Sequence, residues 1–344
     1  MTQLSANFKN NFNETLLKLL WSHWSALGVA GYGGKVTQML DPEALILMTA
    51  SVGRSDPRLF DAMIEWMMEN ERLINISRMQ TLLERESFRC ENVIAAVAGI
   101  ISEKGNRTKW KKISSKSNVT EIRPLFNSNS GSFYGKGTDP IFREYGLERP
   151  EFRKRGILTP FSVKDPATLV LRLRAFFGVN ARSEIIAYLL NNQHGVARDI
   201  ALSNYYFLRT VQDALSEMTA SGVLVSKTVP GKKREIRYSL AGNELAKMFS
   251  YERPEQGAFI CFGAMYSALE KVFILINSEE FAEYSDMLQN SELRKLYRDH
   301  LKDKLNRSGI EIEIENSFPD GANYPQTQYS EPFFTAALNL LEVV

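Results

Sequence analysis

One segment, from about residue 183 to residue 240, constrains the fold of this chain most, because helical periodicity changes there to strand periodicity at a clear boundary. Its longest predicted helix runs from about 207 to 221, and Gly222 follows at the position where glycine commonly ends a helix. The apolar residues of this helix share one face of a 3.6-residue wheel: Phe207, Val211, Ala214, Leu215 and Met218. We therefore expect a helix that buries one side and presents its polar side to solvent.

A β-hairpin is predicted directly after this helix. Two runs of residues, 223–229 and 235–240, have the strand-like pattern of β-branched and alternating apolar side chains. Pro230 and Gly231 predict the turn that joins them. The tip of the hairpin carries three basic residues, Lys232, Lys233 and Arg234.

Two shorter predicted helices, about 183–190 and 196–202, precede the long helix, so the order is three helices and then a basic-tipped hairpin. The motif in the last part is Arg209-Thr210-Val211-Gln212-Asp213-Ala214-Leu215, followed by Met218, Gly222 and Leu224. This segment, about 178–245, resembles the winged helix-turn-helix transcription regulators of the MarR, ArsR and GntR type. It departs from them at Phe207, where those families usually carry serine or threonine.

The resemblance implies a DNA-binding surface on the long helix and the hairpin. A helix of this kind enters the major groove, where arginine can bind guanine and glutamine can bind adenine through paired hydrogen bonds. Arg209 and Gln212 are the candidates for these roles, and the basic tip of the hairpin would contact phosphates. The residues expected at the interface are Tyr205, Tyr206, Arg209, Thr210, Gln212, Asp213, Lys232, Lys233 and Arg234.

The rest of the chain is predicted to be mainly α-helical, with helical regions on both sides of the central winged helix-turn-helix domain and its small β-hairpin wing. The predicted regions are a helical N-terminal domain (1–103), a basic, polar linker (104–165), the winged helix domain (166–250) and a helical C-terminal domain (251–344). The linker is interpreted either as a solvated connection or as an arm that lies on phosphates. A stripe of apolar residues from Leu293 to Leu305 favours a C-terminal domain that dimerises or binds a partner.

Composition and motifs exclude several other classes. The net charge of +2 excludes a uniformly basic, histone-like protein. The two cysteines, Cys90 and Cys261, are too few and too far apart for a disulfide framework, so we expect small buried side chains in a reducing cytoplasm. The three histidines match no zinc motif, and the glycine-rich stretch 31–37 lacks the spacing of a phosphate-binding loop. We therefore predict no enzymatic activity, catalytic residue, metal or cofactor.

The sequence predicts a sequence-specific transcription regulator that binds double-stranded DNA as a homodimer. We expect it in the cytoplasm, on the nucleoid when bound, because the polar N-terminal residues do not resemble a signal peptide and no stretch resembles a membrane span. An effector, either a protein or a small molecule, is left unidentified. One alternative is a protein-interaction module, such as an antitoxin-like factor, whose winged helix contacts protein instead of DNA. A second alternative is an enzyme with an unrecognised active site in the N-terminal region.

Overall fold

The protein is mainly helical, with a small antiparallel sheet, in a computed structural model. The structure describes residues 3–31, 34–104, 108–114, 121–126, 137–229, 235–252, 259–310, 318–319 and 328–343. Within these ranges, no helix has both the length and the hydrophobicity needed to cross a lipid bilayer.

The N-terminal region is helical, as predicted. Its helices are α1 (Gln3–Ala26), α2 (Pro42–Ser51), α3 (Pro57–Glu69), α4 (Ile76–Glu86) and α5 (Glu91–Lys104). Asp41 caps α2 by accepting a hydrogen bond from the backbone N–H of Ala44, and Asp56 caps α3 in the same way. Proline follows each aspartate at the first helical position, where its missing N–H costs nothing.

The described part of 104–165 packs against these helices and contributes to the core. It contains β1 (Arg123–Pro124), α6 (Pro140–Glu144) and β2 (Leu147–Glu148), and the two short strands pair in parallel. Trp110 and Phe142 are fully buried in the same core as the N-terminal helices. The composition of this region predicted a linker, but aromatic residues scattered through its described part are buried in the core of the helical bundle.

Residues 166–250 form a separate hydrophobic cluster around a short three-stranded sheet. The elements in order are α7 (Leu169–Phe177), α8 (Ala181–Asn191), β3 (Gly195–Val196), α9 (Ala197–Ser203), α10 (Leu208–Ala220), β4 (Leu224–Val229), β5 (Glu235–Leu240) and α11 (Glu244–Met248). The central strand β5 pairs with both β3 and β4 in antiparallel fashion. Gly222 has a φ of 77° directly after α10, a conformation that favours glycine.

The C-terminal helices share one core with the N-terminal helices. They are α12 (Phe262–Asn277), α13 (Glu279–Glu283), α14 (Asp286–Leu296), α15 (Lys302–Ser308) and α16 (Ser330–Val343), and a π-helical turn (Tyr297–Leu301) joins α14 to α15. Phe8 of α1 stacks on Phe334 of α16 with ring centroids 4.0 Å apart. We therefore treat α1–α6 and α12–α16 as one helical body, although the sequence suggested two separate domains. Glutamate and isoleucine alternate over residues 311–315 and predict a short strand, but this segment lies outside the described residues.

The apolar stripe proposed for dimerisation lies inside this body. Leu293 and Leu301 are fully buried, and Leu305 packs against the same core. The stripe does run along one continuous helical segment, as predicted, but α12 and α16 of the same chain cover it. It is therefore not available to a second copy of the protein.

Candidate nucleic-acid interface

Helix α10 has one buried face and one exposed face. Val211, Leu215 and Met218 are buried in the cluster of residues 166–250. The residues that point outward are exposed: Arg209, Thr210, Gln212 and Asp213. The side chain of Arg209 is 82% exposed, so it can reach a ligand without any rearrangement of the core.

Phe207 stands immediately before α10, at the N-cap position, and makes no side-chain capping hydrogen bond. A serine or threonine at this position would satisfy one of the free N–H groups of the first turn. Phe207 instead leaves its ring 70% exposed to solvent. The departure from the family pattern at Phe207 therefore lies on the protein surface. The helix begins at Leu208, one residue later than predicted.

Arg209 forms an ion pair with Asp213, one helical turn along the same face. Its Nη2 lies 3.1 Å from one carboxylate oxygen, and its Nε donates a 3.1 Å hydrogen bond to the other. Both side chains are mostly exposed, and exposed pairs of this kind contribute only about 0.3–0.5 kcal/mol. The pair orients Arg209 but can open when a stronger acceptor approaches.

Tyr205 and Tyr206 do not lie on the exposed face with Arg209. Tyr205 is only 2% exposed, and its hydroxyl donates a 2.8 Å hydrogen bond to Glu86 of α4. Tyr206 is half-buried, and its hydroxyl accepts a 2.8 Å hydrogen bond from the side chain of Asn75. Both tyrosines attach the turn between α9 and α10 to the helical body, so we do not include them in the candidate interface.

The hairpin brings further basic residues to the surface beside α10. Lys232, Lys233 and Arg234, at the predicted tip, lie outside the described residues. Within the described strands, Lys227 of β4 is the register partner of Arg237 of β5, and both are exposed. Side chains alternate between the two faces of a strand, so the sequence could have predicted that Lys227 and Arg237 lie together on the outer face.

Arg85 of α4 is a residue that sequence reasoning missed. Its guanidinium carbon lies 6.0 Å from the centre of the Phe207 ring, so a cation of the helical body stands beside the start of α10. Arg85 is exposed and forms no ion pair with any other described residue. No local pattern could reveal this position, because it depends on how α4 packs against the turn before α10.

A buried group of charged residues fixes residues 166–250 to the helical body. We call it the Glu43 cluster: the buried residues Glu43, Arg78, Arg174 and Glu184, together with the partly exposed Asp41. The Glu43 carboxylate lies 2.7 Å from Arg78 and 2.6 Å from Arg174, and Arg174 also lies 2.7 Å from Glu184. Burial raises the pKa of Asp41, but Arg78 outweighs it and lowers that pKa. The cluster joins α2 and α4 of the body to α7 and α8.

A second group, the Glu86 cluster, holds the turn before α10: Glu86, Tyr205, Lys304 and Arg307. The fully buried Glu86 carboxylate lies 2.6 Å from Lys304 and 2.7 Å from Arg307. Burial by itself raises the pKa of Glu86, but the hydrogen bonds from Arg307 and Lys304 prevail and lower it to about 2. A carboxylate held in this way stays ionised and binds the Tyr205 hydroxyl throughout the neutral range.

A glycine of α12 makes room for Tyr205. A Cβ atom at Gly263 would lie 2.5 Å from the Tyr205 hydroxyl oxygen. Tyr205 itself has a φ of 58°, a left-handed conformation that is rare for a large side chain. The close approach and the strained backbone both indicate that the ring is fixed firmly in this place.

Both cysteines are buried and unpaired, which confirms the prediction made for Cys90 and Cys261. Across the described ranges, no group of three or more histidine, cysteine or acidic side chains is arranged to hold a metal ion. Comparison with protein-family models, with curated proteins and with solved structures finds no match for this chain.

Proposed function

We propose that this protein is a sequence-specific DNA-binding transcription regulator and that residues 166–250 form its winged helix-turn-helix domain. The observation that carries the proposal is the outer face of α10. This face presents Arg209, Thr210 and Gln212 to solvent on a helix whose other side is firmly packed. A helix presented in this way can enter the major groove of DNA.

The arrangement of the neighbouring elements supports this proposal. Helices α9 and α10 are separated by a short turn, and the hairpin β4–β5 follows α10 directly. The short strand β3, which precedes α9, pairs with β5 on the side opposite β4. This order of helices and strands is the one that the resemblance implies for a winged helix, with α10 as the recognition helix and the hairpin as the wing.

Each part of the proposed interface has a separate role. Arg209 would bind guanine and Gln212 would bind adenine through their major-groove edges. Lys227, the tip lysines and Arg234 would contact phosphates, and these contacts supply affinity without regard to sequence. The Glu43 and Glu86 clusters would keep α10 in a fixed orientation, which reduces the entropy lost on binding.

We further propose a homodimer on a two-fold symmetric site, located in the cytoplasm and on the nucleoid when bound. Since the stripe from Leu293 to Leu305 is buried, the contact between copies must use another surface. The beginning of α14 offers two exposed apolar side chains, Met287 and Leu288, which are 62% and 52% exposed. Light scattering of the free protein and of its DNA complex measures this directly, and a monomer in both would exclude the dimer.

Selection of bound fragments from random and genomic DNA tests the proposed function. The expected result is a set of related sequences whose binding weakens steeply as salt is raised. The selected duplex and a shuffled duplex of equal composition should then differ in affinity by about a thousandfold or more. Failure to enrich any sequence, together with no salt-dependent binding, would exclude the proposal.

One observation favours a second candidate, a protein-interaction module. Leu202, Phe207 and Leu208 expose apolar surface on both sides of the turn before α10. Adjacent apolar residues of this kind can mark a protein-binding surface. If this candidate is right, substitution of Phe207 and Leu208 should abolish binding to a protein partner, whereas duplex DNA should show no specific binding at any salt concentration.

A further inference from the structure

We propose that Phe207 and Arg85 together recognise a thymine, with the ring of Phe207 against the 5-methyl group and Arg85 on an adjacent phosphate. This inference rests on the proposed function and names the base that the start of the recognition helix reads. It also assigns a DNA contact to the helical body, because Arg85 belongs to α4.

The first observation is the exposure of Phe207. Phe207 is 70% exposed at the N-cap position of the recognition helix, and the first helical residue, Leu208, is 44% exposed. An aromatic ring that stays in water does not contribute the free energy that its burial would add to the stability of the fold. The Phe207 ring is therefore available to a ligand that has an apolar group to offer.

The second observation is the positive charge around the ring. The Arg85 guanidinium lies 6.0 Å from the ring centre, and Arg209 stands two residues farther along the chain. Among the described residues, the acidic group that pairs with either arginine is Asp213, through its exposed pair with Arg209. An apolar protein surface would have to desolvate both arginines, which costs free energy. DNA offers phosphates to the same charges, so the charge favours DNA as the occupant.

The chemistry of the major groove then selects the base. Thymine is the only standard DNA base that carries an apolar group on its major-groove edge, and phenylalanine is among the side chains that contact it. Arg209 and Gln212 are suited to hydrogen-bonding edges, whereas Phe207 can form no such bond. We therefore expect a thymine methyl against Phe207 in each half-site.

The experiment replaces each thymine of the selected duplex with deoxyuridine, one position at a time, and measures affinity by fluorescence anisotropy. Deoxyuridine pairs as thymine does but lacks the methyl group. At one position in each half-site, affinity should fall about fourfold, the value expected for one buried methyl-sized group. Phe207→Ala should bind the thymine duplex as weakly as the parent protein binds the deoxyuridine duplex. Replacing that thymine with deoxyuridine should then have no further effect on the affinity of Phe207→Ala.

Controls separate this inference from general effects of mutation. Met248→Ala removes another exposed apolar side chain, on α11, and should keep the parent's preference for thymine. Arg85→Ala should reduce the salt slope by about 0.9, the value for one phosphate contact, and circular dichroism should show all variants folded. If Phe207→Ala keeps the full preference for thymine, or if no thymine position matters, the inference is wrong while the proposed function stands. If the parent binds no duplex, both are wrong.

Discussion

The hydroxyl of Tyr205 donates a 2.8 Å hydrogen bond to the buried carboxylate of Glu86, and this bond joins the turn before α10 to helix α4 of the body. Lys304 and Arg307 of α15 donate hydrogen bonds to the same carboxylate. The start of α10 is therefore positioned by two helices that are distant from it in sequence. Removal of any one of these side chains should therefore alter the position of α10 at the candidate interface.

Tyr205→Phe should lower the free energy of unfolding by about 2 kcal/mol, because it removes a buried hydrogen bond to a charged acceptor. The ring remains, so no large cavity forms. Urea denaturation of the purified protein measures the change. Tyr188→Phe is a matched control, since the Tyr188 ring packs on Phe259 while its hydroxyl makes no hydrogen bond that we observe among the described residues. An equal loss of stability in both variants would contradict the role given to the Tyr205 hydroxyl.

The stability of the protein should depend on pH through Glu86. Its pKa is about 2 in the folded protein and 4.5 in an ordinary environment. The stabilisation is therefore complete above about pH 4.5 and is lost as the pH falls toward about 2, because the unfolded chain takes up the proton first. The shift corresponds to about 3 kcal/mol. Unfolding by urea at a series of pH values measures this dependence.

Glu86→Gln should remove that part of the pH dependence and should also destabilise the protein at neutral pH, because Lys304 and Arg307 lose their buried partner. Glu84→Gln is the matched control on the same helix, since Glu84 is exposed. It should leave the pH profile unchanged. A Glu86→Gln variant with the parent's slope between pH 4.5 and 2 would show that other carboxyl groups produce the effect.

Glu43→Gln should destabilise the protein by about 3–5 kcal/mol, the usual cost of removing one partner from a buried ion pair. Arg78 and Arg174 would then face each other without the carboxylate that separates their charges. Glu69→Gln serves as the control, because Glu69 pairs with Lys154 at the surface and should contribute less than about 1 kcal/mol. Thermal unfolding followed by circular dichroism compares the two, and equal midpoints would contradict the prediction.

Arg209→Ala should weaken binding to the selected DNA site by about 1–3 kcal/mol and relax the preference at one base pair. Non-specific binding should change less, and the fold should be unaffected because the side chain is 82% exposed. Anisotropy titrations with the selected duplex and with single-base variants provide the measurement. Lys295→Ala, which removes an exposed charge on α14, is the control. Unchanged specificity in Arg209→Ala would show that this face does not read bases.

Replacing Lys232, Lys233 and Arg234 together with alanine should weaken binding to all duplexes alike. Each lost phosphate contact should reduce the slope of log K against log salt by about 0.9. The slope is measured by titrations at several salt concentrations, again beside Lys295→Ala. A triple variant with the slope of the parent would show that the wing tip does not contact the DNA backbone.

Local periodicity predicted the middle of this fold well. The wheel of apolar residues placed the buried face of α10 correctly from Val211 to Met218, and Gly222 marked the end of the helix, because both signals depend only on neighbouring residues. The wheel was wrong for Phe207, which precedes the first turn of the helix and is 70% exposed. The pairing of β4 with β5 followed from the same short-range pattern. These are features that a few consecutive residues determine.

Long-range packing could not be predicted in the same way. Nothing near Tyr205 in the sequence indicates that its ring enters the body, because Glu86 and Gly263 meet it only after folding. The burial of Trp110 was hidden by the lysines around it, which gave the segment the composition of a linker. The shared core of the N- and C-terminal helices was also missed, because it depends on contacts between residues that are far apart in the sequence.

The Glu43 cluster also limits how residues 166–250 can be transferred to another protein. Excision of residues 166–250 would take Arg174 and Glu184 along but would leave Glu43 and Arg78 behind. Excision would expose the guanidinium of Arg174 to solvent and remove its hydrogen bonds to Glu43 and to the backbone of Leu73. A domain exchange would therefore have to include the partner helices, or replace Arg174 with a residue suited to solvent. The segment that can be transferred is therefore defined by the ion pairs of the Glu43 cluster and not by the ends of the sheet.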